Sequence, residues 1–286
     1  MARCEVCFRH CEIKEDAIGF CGARTCRDGK VVAANYARIT SLALDPIEKK
    51  PLNRFYPGSL ILSVGSYGCN LRCPFCQNHE ISWSERAWQF ADEAEYLPPE
   101  SLVEVARSYQ KRGNIGIAFT YNEPLIGYEY VIDAAKLAHE ADLKTVLVTN
   151  GTAQLPVLEE LAPYVDAMNI DLKGFTDHYY NDVLKGNRKM VMEFIARAVQ
   201  VCHVELTCLV VPGENDSEDE IRQMTEWIAS LTDADGKQIG MDVPLHITRF
   251  FPRFHMQDRN ATDVRQIRYL VQAAQEKLRY VYRGNC

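Results

Sequence analysis

The chain has 286 residues, 47% of them hydrophobic, which suffices for one large α/β domain with a small appendage. Its formal net charge of −7 and pI of about 5.6 argue against general binding of nucleic acid or of an anionic membrane surface. No apolar run is long enough to span a bilayer, and Met1-Ala-Arg-Cys leads straight into polar residues, so no signal peptide is expected and a cytoplasmic location is. Eleven cysteines then suggest metal binding or catalysis in a reducing compartment, not disulfides.

Residues 1–29 are the most irregular stretch. Cys4-x-x-Cys7-x-x-x-Cys11 followed by Cys21-Gly22 places four thiols in a short polar segment, with Cys26 as a fifth. Such a segment cannot bury a core of its own, so a metal is expected at Cys4, Cys7, Cys11 and Cys21. Zinc and an auxiliary iron–sulfur cluster both fit four cysteines, and the alternative is that some are only buried thiols. Residues 30–58 read as a β-arm and linker: 30–34 and 37–44 look like short strands, and Asp45-Pro-Ile-Glu-Lys-Lys-Pro51 should break any regular element because proline lacks an amide donor.

Ser59-Leu-Ile-Leu-Ser-Val-Gly65 reads as a buried strand ending in a glycine turn. It leads into Cys69-x-x-x-Cys73-x-x-Cys76, a spacing that offers three thiolates. An iron–sulfur cube held by only three thiolates keeps one iron open to a substrate or cofactor. The competing reading is a zinc site with His79 as fourth ligand, or a pair of core thiols. The loop, with the aromatic Phe75 before its third cysteine, resembles that of the radical S-adenosylmethionine (SAM) enzymes.

From residue 59 to 286 strands and helices alternate. Strands are expected at 60–65, 115–120, 144–149, 166–172, 203–210 and 243–248. Helices are expected at 98–111, 126–139, 156–161, 190–201, 217–228 and 262–278, with Ser217-Glu-Asp-Glu220 as a capping box. The βα repetition predicts a parallel sheet with right-handed crossovers, and six units predict an open, partial (β/α)6 barrel of the TIM type.

Residues just past each strand should share one rim with the cysteine loop. They are Thr120-Tyr-Asn-Glu-Pro124, Thr149-Asn-Gly151, Asp171-Leu-Lys173, Val211-Pro-Gly-Glu-Asn-Asp216 and Thr248-Arg-Phe-Phe-Pro252. Their chemistry suits SAM: Glu123, with Asn122 beside it, for the ammonium, Lys173 for the carboxylate, Asn150 and Asn215 for sugar or adenine edges, and Phe75 for the adenine face. Glu123 and Lys173 forming a structural ion pair is the bland alternative. Lys185-Gly-Asn-Arg-Lys189 and the trio Arg249, Arg253 and Arg259 read as solvated surface, and Cys202 and Cys208 as buried thiols. Thiol catalysis at either cysteine is the alternative.

Tyr121-Asn-Glu-Pro124 stands where radical SAM enzymes commonly have Gly-Gly-Glu-Pro, and with Asp171-Leu-Lys173 and Val211-Pro-Gly213 it resembles the pyruvate formate-lyase activating enzymes. The Cys4/Cys7/Cys11/Cys21 pattern, Asp45 to Leu52, Phe55-Tyr-Pro-Gly58, Cys76-Gln-Asn78, Pro244 to Phe250 and Tyr280-Val-Tyr282 resemble a narrower group, the AmmeMemoRadiSam-system radical SAM proteins. The resemblance implies a [4Fe-4S] cluster on Cys69, Cys73 and Cys76. SAM would chelate the open iron and be cleaved reductively to methionine and a 5′-deoxyadenosyl radical that takes a substrate hydrogen.

Asp171 persists from the activating-enzyme pattern, which pairs it with an acidic residue at a monovalent-cation site. Here Val148 replaces that acid, Thr207 replaces an arginine, and Phe251-Pro252 replaces the narrower group's His-Pro. His246 is the nearest remaining histidine and reads as structural. The narrower group tends to continue past Gly-Asn into another Cys-rich tail, which is absent or not included in the sequence ending at Cys286. A reductant such as flavodoxin or ferredoxin is implied. The substrate is a small molecule, peptide or RNA on the favoured reading, or a glycine of a partner enzyme if the chain is a glycyl-radical activase. A non-catalytic zinc-binding scaffold is the reading from another class.

Overall fold

The structure, a computed structural model, describes all residues except the side chains of Trp88, Ala91 and Asp92. Eight strands form one sheet whose spatial order follows the chain: β1 (Ser41–Pro46), β2 (Leu60–Gly65), β3 (Asn114–Phe119), β4 (Lys144–Thr149), β5 (Ala167–Asp171), β6 (His203–Val210), β7 (Leu245–Arg249) and β8 (Val281–Gly284). Strands β2 to β8 are parallel, and β1 runs antiparallel to β2 at one edge. Strands β1 and β8 are the two ends of this order, so the barrel is open, as six βα units predict.

Helices α1 (His79–Ser82), α2 (Glu85–Glu93) and α3 (Pro99–Ser108) connect β2 to β3. One helix then makes each crossover: α4 (Tyr128–Glu140), α5 (Leu155–Leu161), α6 (Arg188–Ala198), α7 (Glu218–Ala229) and α8 (Val264–Gln275). Apolar stripes at helical spacing dock them on the sheet: Val131, Ala134, Ala135 and Ala138 on α4, and Ile267, Leu270, Val271 and Ala274 on α8, are all buried. Strands covered on one side by helices and filled on the other read as nearly continuous apolar runs, which is why β2 to β4 stood out in the sequence.

Three local expectations change. Strand β1 continues through Asp45 and Pro46, because an edge strand does not need every amide donor. The seventh parallel strand, β8, is short and carries Arg283, so it gave no apolar signal. Ser217 does cap α7 by accepting the Glu220 N–H at 3.2 Å, but the Glu220 carboxylate turns away to the Phe175 N–H, 2.5 Å off, so the capping box is only half made.

The segment after β1 closes the amino-terminal end of the barrel. Ile47 and Leu52 are fully buried against Ile61, Ala118, Val146 and Ala167. Glu205 on β6, also fully buried, accepts the backbone N–H groups of Asn53 (3.0 Å) and Arg54 (2.7 Å) and bonds His246 (2.7 Å) and His203 (3.0 Å). Burial alone would raise the Glu205 pKa, but these four hydrogen bonds outweigh it and hold the carboxyl down at about 2. This floor lies opposite the carboxyl ends of the strands, where the rim residues meet.

The amino-terminal residues add two small antiparallel ribbons, Ala2–Arg3 with Glu12–Ile13 and Arg24–Arg27 with Lys30–Ala33. The buried Arg24 joins them to α4 through Glu129, 2.6 Å away.

Candidate active site

The loop after β2 carries Cys69, Cys73 and Cys76 to the rim, where all three border a cavity of about 510 Å³. That size falls in the range of small-molecule sites. Leu71, Phe75 and Phe250 supply its apolar wall, and Phe75 meets Phe250 edge-on with ring centroids 6.3 Å apart. From the other strand ends come Tyr121, Asn122 and Glu123, then Val148, Thr149 and Asn150, then Asp171 and Lys173, and finally Thr207, Thr248 and Arg249. Parallel register is what aligns them: Thr149 lies beside Ile170, Asp171 beside Thr207, and Val210 beside Arg249.

Glu123 is the most deeply set charge. Its carboxylate accepts hydrogen bonds from the Thr149 hydroxyl (2.6 Å), the Leu125 N–H (3.0 Å) and the Asn150 N–H (2.8 Å). Burial pushes its pKa up to about 7 in spite of these donors. A carboxylate has room for about four hydrogen bonds, so one acceptor position is left for a cationic group in the cavity. Lys173 does not pair with Glu123. Its Nζ lies 2.6 Å from Asp171 Oδ2, and that neighbour, acting against burial, keeps the lysine charged.

The three asparagines act on the protein itself. Asn122 Nδ2 donates to the carbonyls of Tyr67 (3.1 Å) and Gly68 (3.2 Å), and its Oδ1 accepts the Ser66 N–H (2.9 Å). Asn150 Nδ2 donates to Asn70 Oδ1 (2.9 Å) and approaches Cys69 Sγ at 3.7 Å. Both border the cavity but are committed to holding the cysteine loop. Asn215 does not border it: buried behind the wall, it donates to the carbonyls of Lys173 (2.5 Å) and Leu209 (2.9 Å) and accepts the Val211 N–H (2.7 Å). An asparagine in the turn two residues before a helix N-cap, here Ser217, has this bracing role as its ordinary use.

His79 is not part of the cavity wall; its ring stacks on Phe254, with centroids 4.1 Å apart. His246 faces Glu205 inside the floor, which agrees with its structural reading. Cys208 is fully buried and Cys202 half-buried, both away from the cavity. Arg253 is exposed, as expected of a solvated residue, and Arg249 is half-buried; both border the cavity, whereas Arg259 pairs with Glu214 at 2.6 Å. The rim run Thr248 to Pro252 already pointed to Arg249, which is the last residue of β7.

The donor set fits an iron–sulfur cube. Cys69 Sγ accepts the Leu71 N–H at 3.4 Å, the kind of amide contact that stabilises thiolate charge. Burial drives the Cys73 pKa up to about 12 and raises those of Cys69 and Cys76, so these thiols ionise only with a metal to take the charge. Among the described residues no three His, Cys, Asp or Glu groups are close enough to share a single metal ion. Thiolates on separate irons of a cube need not converge in that way.

Cys4, Cys7, Cys11 and Cys21 border a small closed pocket of their own beside Arg9. The Cys4 N–H donates to the Cys11 carbonyl at 2.9 Å. Burial, reinforced by Cys7 and Cys4, raises the Cys21 pKa to about 12. Cys26 lies elsewhere, its thiol 3.4 Å from Glu15.

Residues 63–225 match the radical SAM superfamily, and the chain belongs to it. It is 39% identical, over 99% of its length and 81% of the relative's, to an uncharacterized protein of Methanocaldococcus jannaschii. It is 27% identical to the pyruvate formate-lyase-activating enzyme of Clostridium pasteurianum, over 63% of this chain and 72% of that one. In fold it resembles Streptococcus suis SuiB bound to S-adenosylmethionine, with TM-score 0.58 and 13% identity over 77% of this chain and 48% of that chain. A domain of a pyruvate-formate lyase-activating enzyme from Bacteroides vulgatus superposes with TM-score 0.51 and 17% identity, over 59% of this chain and 99% of that one. Members of the superfamily are enzymes, and membership implies a [4Fe-4S] cluster and SAM.

Proposed function

We propose that Cys69, Cys73 and Cys76 hold a [4Fe-4S] cluster and that the cavity beside them binds SAM. The observation that carries this is the common cavity: the buried Cys73 and the half-buried Cys69 and Cys76, an aromatic wall and a carboxylate with a vacant acceptor position face one space. When bound, the cluster and SAM would supply a 5′-deoxyadenosyl radical, formed with methionine by one-electron cleavage of the sulfonium. The residues of this chain bind, orient and exclude water. Glu123 takes the ammonium, and the Lys173 ammonium, held by Asp171, offsets carboxylate charge. Phe75 covers the adenine, and Leu71 and Phe250 keep the interior dry. Asn122 and Asn150 fix the cysteine loop, so the reacting groups meet without reorganisation.

The substrate on this reading is a small molecule or peptide rather than a glycine of a partner enzyme, because Val148 and Thr207 border the cavity where the activating enzymes carry charged groups. A protein donor such as flavodoxin or ferredoxin would deliver the electron. We also propose a metal or auxiliary iron–sulfur cluster at Cys4, Cys7, Cys11 and Cys21: they border one pocket, although as placed no three of them converge on a single ion; elemental analysis of the purified protein identifies it.

The test is anaerobic reconstitution with iron and sulfide, then addition of dithionite and SAM. Formation of 5′-deoxyadenosine that disappears in Cys73→Ala is the expected result. Colourless, zinc-loaded protein that leaves SAM intact would overturn the reading in favour of a scaffold. An electron paramagnetic resonance glycyl signal on mixing with a candidate partner enzyme would replace the small-molecule substrate with the activase role.

A further inference from the structure

We propose that the outer half of the cavity is a subsite for an anionic group of the substrate, a carboxylate or phosphate, held between Arg249 and Arg253. The inference rests on the cavity being the SAM site and names the class of molecule that would occupy the space beyond it.

Charge accounting within the cavity leads there. Its ionisable lining beyond the cysteines and Tyr121 is Glu123, Asp171, Lys173, Arg249 and Arg253. Asp171 and Lys173 neutralise each other at 2.6 Å, and Glu123 is ringed by three donors. The two arginines have no such partner. Arg249 donates only through Nε, to the Thr262 carbonyl at 2.7 Å, and its guanidinium lies 4.7 Å from the centre of the Phe251 ring. No described side chain forms a hydrogen bond or ion pair with Arg253.

The carboxylates nearby are already taken. Glu214 pairs with Arg259 at 2.6 Å, and Asp263 accepts the Arg265 N–H at 2.7 Å and pairs with its guanidinium at 3.0 Å. Asp263 therefore exerts a distant pull on Arg249 without bonding it.

A solvated arginine needs no partner, and Arg253 alone would carry nothing, since it is exposed. Arg249 is different. It is half-buried, pinned by one nitrogen and by an aromatic ring, with the two terminal nitrogens of its fork uncommitted. A partly desolvated guanidinium without a counter-charge is unfavourable, and the fork geometry matches two oxygens of a carboxylate or phosphate. Arg249 ends β7 and Arg253 follows in the next loop, so the pair stands at the same rim as the cysteine loop. The His255 N–H donates to the Pro74 carbonyl at 2.8 Å and ties that loop down onto it.

The test uses the reconstituted, SAM-loaded full chain, titrated at low ionic strength by calorimetry with inorganic phosphate, with succinate and with uncharged glycerol. The expected result is saturable binding of one equivalent of phosphate or succinate, and none of glycerol. Whichever anion binds more tightly identifies the group. Arg249→Gln and Arg253→Gln should each weaken that binding about tenfold, the usual worth of a charge-assisted hydrogen bond. Arg265→Gln, on the outer surface, should leave it unchanged.

No binding by the wild type, or equal binding by both cavity variants (an adventitious ion only), would overturn the proposal. So would loss of SAM itself from the variants, because the arginines would then be holding the cofactor's carboxylate. Reductive SAM cleavage measured on the same preparation reports on the radical SAM reading independently of these titrations.

Discussion

The carbonyl oxygen of Cys21 accepts the backbone N–H of Cys69 at 3.0 Å. One peptide bond earlier, Gly68 passes the same oxygen so closely that a Cβ there would lie 2.7 Å from it and 2.8 Å from the Ala23 Cβ. The cysteine loop is therefore seated directly on the amino-terminal segment, and the two sets of cysteines share a backbone contact.

Gly68→Ala should break that seat. The residue has φ of +92°, a left-handed conformation that costs a side chain about 1–2 kcal/mol, and the clash with backbone adds to it. Urea unfolding should show a loss of about 2–4 kcal/mol, and the anaerobically reconstituted variant should hold less iron per chain. Wild-type iron content and stability would show that the loop does not depend on this seat.

Asn122→Ala tests the other side of the loop. Removing its amide takes the Oδ1 acceptor from the Ser66 N–H and one of two donors from each of the Tyr67 and Gly68 carbonyls, since Tyr67 keeps Asn35 Nδ2 at 3.0 Å and Gly68 keeps the Glu123 N–H at 3.3 Å. The expected loss is about 1–3 kcal/mol, with faster hydrogen exchange confined to residues 66–69.

With SAM bound as proposed, Glu123 should make its affinity pH-dependent. Its pKa of about 7, raised by burial, means that the cavity holds a neutral carboxyl below that pH and a carboxylate above it. A cationic ligand binds only the ionised form, so affinity should fall about tenfold per unit as pH drops below 7. Calorimetry in buffers of different ionisation enthalpy should record proton release on binding near neutral pH. Glu123→Gln should bind more weakly and without this pH dependence.

Glu205 has the opposite sign. Its pKa is held at about 2, against an ordinary value of 4.5, so its contribution to stability is complete above pH 4.5 and is lost as pH falls toward 2. The shift corresponds to about 3 kcal/mol at neutral pH. Glu205→Gln should lower stability at pH 7 by a comparable amount and flatten the acid limb of the unfolding profile between those two values.

What could be read in advance divides along physical lines. The βα order, the cysteine loop and the rim position of Glu123 and Lys173 follow from local periodicity and from parallel topology, and both are written into the chain. Partner choice is not local. Lys173 binds Asp171 instead of Glu123, and Asn215 turns inward to brace Lys173 and Leu209, because of packing between strands far apart in sequence. Arg249 looked like surface for the same reason: an arginine's surroundings depend on which acids are already engaged, and Glu214 and Asp263 had nearer claimants. Strand β8 was missed because a short strand at a sheet edge needs little apolar patterning.

Because each strand of the sheet lies beside its predecessor in sequence, the fold can grow in the direction in which the ribosome delivers it. The first 65 residues already contain the amino-terminal cysteines, the floor segment and the edge hairpin of β1 and β2. The thiol loop thus follows its backbone seat in the chain, and each later strand adds one more wall. The residues of that seat are all synthesised well before β8 completes the far edge.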